Sequence, residues 1–161
     1  MKKLLPYVLA FHAALAAAIL LWALQEKFPG PLTNTLSPVW NSPWEMGKAA
    51  FFPLLAAAPT LWVLQKGGSR GGLCLMALAG AVLALALTYA PVPPAAVAAM
   101  AIGGAAALYG LALRRVSGDG LPWYVLTVAL AVAYILLTIL PPGGGIFLAR
   151  DDVAALAAIP F

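Results

Sequence analysis

Five long apolar runs separated by short polar stretches leave this chain little to fold into other than a membrane-spanning bundle. The runs are Leu4–Leu24, Trp44–Leu64, Leu73–Ala90, Ala95–Leu113 and Pro122–Leu140. Each holds about 18 to 21 residues, which at roughly 1.5 Å per residue spans a hydrocarbon core of about 30 Å. A soluble domain must cover its surface with polar groups. With 64% hydrophobic residues, 9% charged residues and a mean hydropathy of +0.98, this chain has too few of them. The expected fold is therefore an all-α integral membrane protein. Five transmembrane helices, a long outer loop and a folded-back C-terminal tail form one polytopic domain over residues 1–161.

The placement of the basic residues says more than the net charge of +4. If every run crosses once, Lys2, Lys3, Lys66, Arg70, Arg114 and Arg115 fall on one side, against Lys27, Lys48 and Arg150 on the other. The positive-inside bias then puts the N-terminus in the cytoplasm and the C-terminus outside. Lys2 and Lys3 precede a first run too long for a cleavable signal core, so this segment is expected to stay attached as an anchor. No basic block with interleaved aromatics offers a nucleic-acid surface. The lone Cys74, inside the third run, reads as a small apolar residue and has no intrachain disulfide partner.

The stretch between Phe28 and Pro43 contains four prolines and is too broken to be another span. It is expected to be an outer loop, and loops of that length often carry function. Pro53 and Pro59 lie inside the second run, where each removes a backbone donor and favours a kink. In the fourth run Ala99, Gly103 and Ala107 recur at four-residue spacing, with Ala106 and Gly110 on a neighbouring face. Small residues at that spacing let helix backbones approach closely. Packing against the third run is the plainer reading, and a homodimer or larger membrane complex through Gly103 and Ala107 is the alternative. After the fifth run, Pro141-Pro142-Gly143-Gly144-Gly145 breaks the helix. Asp151 or Asp152 is placed to cap a last short helix ending at Pro160, in a tail expected to fold back and meet the outer loop.

Chemistry-bearing residues are few. Ser42, Pro43 and Glu45 have the spacing of a capping box at the start of the second helix, and Glu45 stands one turn from Lys48. Trp40 and Trp44 mark the membrane boundary beside them. The ligand-binding candidates are therefore Glu45, Lys48, Trp44, Trp40, His12, Asp151 and Asp152. His12 falls near mid-membrane, where an ionisable residue is a functional candidate and ordinarily packs against protein. It is expected to be buried against other helices and hydrogen-bonded to a Tyr, a Thr or a carbonyl. Trp22, Trp62, Trp123, Tyr7, Tyr89 and Tyr124 read as interfacial belts, and Tyr109, Thr127, Tyr134 and Thr138 as interhelical hydrogen-bonders. No nucleophile elbow, phosphate loop, dinucleotide fingerprint, metal-ligand spacing or thiol pair occurs, so the sequence implies no cofactor and no metal.

Ser37-Pro38-Val39, Ser42, Trp44-Glu45, Lys48 and Phe52-Pro53 resemble a motif of a family of small bacterial five-span integral membrane proteins, a domain of unknown function. Pro141-Pro142, Ile146-Phe147 and Asp151 are similar to the same family's C-terminal ending. The resemblance covers about 30 residues and the order of the spans. It implies a bacterial cytoplasmic-membrane protein and the five-span topology, and names no substrate. The chain departs from the pattern in having Trp40-Asn41 for Asn-Glu and Met46 for His.

Function is left between classes. The leading reading is a non-enzymatic binder or transporter component for a small apolar or amphipathic ligand, with an outward-facing site. Its alternatives are an intramembrane enzyme acting on a lipid-like substrate, with Glu45 and Asp151 or Asp152 as acid and base, and an accessory subunit of a membrane complex.

Overall fold

A computed structural model describes residues 5–39, 42–64, 69–116, 120–140, 142 and 144–148. Trp40, Asp151, Asp152 and the expected last helix lie outside these residues. The described chain forms α1 (Leu5–Lys27), α2 (Pro31–Leu36), α3 (Pro43–Leu64), α4 (Arg70–Leu87), α5 (Pro94–Leu111) and α6 (Leu121–Ile139), with single 3₁₀ turns at Leu113–Arg115 and Gly145–Phe147. No strand occurs among the described residues. The chain is an all-α protein, and among the described residues α1, α3, α4, α5 and α6 are the five helices long and apolar enough to cross a membrane.

Local chemistry sets the helix ends. Helix α1 continues past its apolar run through Gln25-Glu26-Lys27 and leaves Lys27 in the last turn, where its charge complements the helix dipole. Helix α4 starts three residues before the apolar run does, because the Ser69 hydroxyl accepts from Gly72 N–H at 3.0 Å and supplies a cap. Helix α5 opens on Pro94, whose missing N–H is harmless at the first position. Before α6, Gly120 adopts φ +70, a left-handed conformation that suits glycine. A Cβ on the facing Gly71 would stand only 3.1 Å from the Gly120 Cα, so these two turns meet backbone to backbone.

The loop between the first two membrane-length helices is not structureless. Its centre is α2, six residues long, with Pro31 at its first position and Thr33 tying its start. Gly30 N–H donates to the Thr33 hydroxyl at 2.9 Å, and that hydroxyl donates to the Phe28 carbonyl at 2.9 Å. Pro31, one of the prolines that break a transmembrane helix here, begins a short one instead.

Helix α3 is central. It packs against α1 and α4 and also touches α5, while α6 lies against α4 and α2. Accordingly α3 and α4 are the most buried helices, and α1 and α6 present most of their surface outward. The α3–α4–α5 core is built close. Ala77, Ala81 and Ala84 of α4 lie buried with Ala98, Ala101 and Ala105 of α5, and a Cβ at Gly80 would sit 3.6 Å from the Ala105 Cβ. Thin side chains let these backbones approach, as in other membrane bundles. Helix α3 carries through Pro53 and Pro59 without interruption.

The small-residue face of α5 that meets α4 is not the expected one. Gly103, Ala106, Ala107 and Gly110 turn toward α1, where a Cβ at Gly103 would touch Phe11 at 3.4 Å and one at Gly110 would touch Tyr7 at 3.5 Å. The geometry explains the error. Residues 103 and 107 lie two positions from 101 and 105, about 200° around a helix of 3.6 residues per turn. A helix with small residues on both faces does not announce which one its neighbour takes.

Three contacts bring one set of helix ends together. Arg114 donates to the Tyr7 hydroxyl at 3.0 Å, the Ser69 hydroxyl donates to the Val116 carbonyl at 2.6 Å, and Arg70 lies 5.0 Å over the Trp62 ring. The start of α1, the α3–α4 turn and the α5–α6 turn thus share an end, and α2 with the start of α3 marks the opposite one.

Candidate functional site

The opposite end holds the densest polar cluster among the described residues. Ser42 caps α3 as expected, its hydroxyl accepting from Glu45 N–H at 3.2 Å. The Glu45 carboxylate reaches past the cap, accepting from Val39 N–H at 3.0 Å and from the Lys48 ammonium at 2.6 Å. Lys48 is fully buried. Its Nζ also donates to the Asn34 carbonyl at 2.9 Å and to the Thr138 hydroxyl at 3.0 Å. An ammonium has three N–H donors, and here all three are used. Lys48 therefore ties α3 to α2 on one side and to α6 on the other.

Aromatic residues seal this clasp. Trp44 lies 4.6 Å from Tyr134 and 5.3 Å from Phe147 between ring centroids, so the described part of the C-terminal segment packs on the first turn of α3. Tyr134 also contacts Phe51 and Phe52. Its hydroxyl sits over Gly47, where a Cβ would overlap the phenolic oxygen. Three buried polar atoms around the clasp have no protein partner: Asn34 Oδ1, Ser37 Oγ and Trp44 Nε1.

Of the expected site residues, the structure brings Glu45, Lys48 and Trp44 together. Trp40, Asp151 and Asp152 lie outside the described residues. Thr138 was legible as an interhelical hydrogen-bonder. Thr127 bonds within its own helix instead, its hydroxyl donating to the Trp123 carbonyl at 2.7 Å, the local alternative always open to a helical threonine. Asn34 was missed because it acts through its backbone carbonyl, which no residue pattern advertises.

His12 is not where the sequence placed it. It is exposed on α1, with Nδ1–H donating to the Val8 carbonyl of the preceding turn at 2.7 Å and its ring edge-on to Phe11 at 5.6 Å. The buried face of α1 is Ala10 and Ala14, and His12 stands two residues from each, on the opposite side of the helix.

That outward side is not featureless. Between α1 and α5 runs a groove of about 700 Å³, with Tyr7, Phe11 and His12 along one wall, Gly103, Ala107 and Gly110 along the other, and Arg114 at its end. It exists because α5 supplies no bulk there: Tyr7 and Phe11 cover part of the small-residue floor and leave the rest open. The volume lies in the range of ligand sites, and the lining combines apolar surface with a few polar groups. No cluster of three potential metal ligands occurs among the described residues.

Fold and site together define a five-helix membrane protein with an internally closed polar clasp at one end and a lateral groove at the other. No family model, no curated protein and no solved structure matches the chain.

Proposed function

We propose that the protein is a non-enzymatic membrane component that binds a small apolar or amphipathic ligand, and that the ligand lies in the groove between α1 and α5. The groove itself carries the reading: it is large enough for a ligand, opens sideways between two helices and ends on an arginine. The Glu45–Lys48 pair argues for a ligand elsewhere than the outer end, since every Lys48 donor is taken up by protein. Its role is to hold α2 and α6 onto α3. The same reading places the chain in a bacterial cytoplasmic membrane with its N-terminus inside. Supporting this orientation, Arg70, Arg114 and the start of α1 share one end, and basic residues favour the cytoplasmic side.

The test is purification from native membrane in mild detergent, followed by mass spectrometry of retained small molecules. A bound species that is lost on Ala107→Phe, which places a ring in the groove from an exposed position, is the expected result. Equal retention by the variant refutes the groove as the site.

A further inference from the structure

We infer that the groove between α1 and α5 is a seat for an anionic phospholipid of the leaflet at the Arg114 end, with its headgroup on Arg114 and one acyl chain along Gly103 and Ala107. The inference rests on the groove reading above and adds the class of ligand.

Two observations support it. The first is length. Gly103 and Leu111 stand eight residues apart on α5, about 12 Å at 1.5 Å per residue, and Arg114 lies beyond Leu111. The groove thus covers roughly one leaflet, half of a hydrocarbon core of about 30 Å, with its charged end at Arg114 and its other end, beside Gly103, lined by Phe11 and the neighbouring His12 ring. An amphipathic lipid fits a charged end that continues into the apolar Gly103–Ala107 wall, whereas a soluble solute matches only the end.

The second observation is charge. Arg114 is exposed and directed by its hydrogen bond to the Tyr7 hydroxyl at 3.0 Å. A neutral phenol fixes the guanidinium without neutralising it, and among the described residues Tyr7 is the side-chain acceptor it meets, so its other N–H groups can face a phosphate bidentately. The one ion pair among the described residues is Glu45–Lys48, at the far end of the bundle. The only other described carboxylate is Glu26, near the opposite end of α1 from Tyr7, and Asp119, five residues on from Arg114, lies outside the described residues. Arg115 adjoins Arg114 but does not line the groove, which provides an internal control.

The test is native mass spectrometry of the full chain in detergent, titrated in parallel with phosphatidylglycerol and phosphatidylcholine of identical acyl chains. Both lipids offer Arg114 a phosphate, but the choline ammonium cancels the charge of phosphatidylcholine, so the net charge at an exposed guanidinium should favour phosphatidylglycerol by about threefold to fivefold. Arg114→Gln should abolish that preference while residual binding of both lipids persists, and Arg115→Gln should retain it. Ala107→Phe should abolish binding of both. Equal binding of the two lipids, with both lost in Ala107→Phe, overturns the anionic class and leaves the groove reading standing. Binding unchanged in Ala107→Phe overturns both. A preference that survives Arg114→Gln, or disappears only in Arg115→Gln, also overturns the inference. So does a dimer mass that Ala107→Phe dissociates, which would assign the groove to a second copy of the chain.

Discussion

Replacing Lys48 by Met tests whether the buried clasp organises the end of the bundle where α2 meets α3. The substitution keeps most of the side-chain length and removes only the ammonium. It leaves the Glu45 carboxylate, 8% exposed, with no opposing charge, and leaves the Asn34 carbonyl and the Thr138 hydroxyl without their donor. Breaking one side of a buried pair ordinarily costs about 3–5 kcal/mol. For a chain of this size that corresponds to a midpoint lowered by roughly 6–20 °C. The assay is thermal unfolding in one detergent, followed by near-ultraviolet signals from the Trp44–Tyr134 cluster. Adding Glu45→Gln to Lys48→Met removes the stranded charge and keeps an acceptor for Val39 N–H, so the double variant should recover most of the loss, since replacing a whole buried pair is often nearly neutral. A single variant within about 1 kcal/mol of the parent, the cost of an exposed pair, refutes the reasoning. So does a double variant no more stable than the single.

Two further predictions rest on separate observations. Gly47→Ala should cost about 1–3 kcal/mol by overlap with the Tyr134 hydroxyl, and Tyr134→Phe in the same chain should return part of that loss; equal melting of Gly47→Ala and parent would show that the two helices do not meet there. In a background with Cys74 replaced, single cysteines at Ser69 and Gly144 should react with an impermeant maleimide from opposite sides of sealed vesicles, and reaction of both from one side would overturn the five-crossing orientation.

The spans were legible because bilayer thickness imposes one length on every crossing helix, and that length is written directly in the apolar runs. Boundaries moved by up to three residues where a local device, such as the Ser69 cap or the Gln25-Glu26-Lys27 extension, outweighed hydropathy. The start of α3 was legible too, since Ser42, Pro43 and Glu45 interact within a few residues of one another. Helix α2 was hidden because six residues among prolines look like a loop until Thr33 is seen tying its start.

What the sequence determined by itself is the class of fold, the number of membrane-length helices and the local pairing of Glu45 with Lys48. Tertiary structure alone decided which face of each helix meets which neighbour. In a soluble helix the apolar stripe reveals the buried side, because water selects it. In lipid both sides are apolar, so nothing in hydropathy separates Ala101 and Ala105, packed in the core, from Gly103 and Ala107, two residues away and turned to a groove. The same ambiguity put His12 on the outward side of α1 and left Lys48 to find Thr138, ninety residues along the chain, only once α6 had docked.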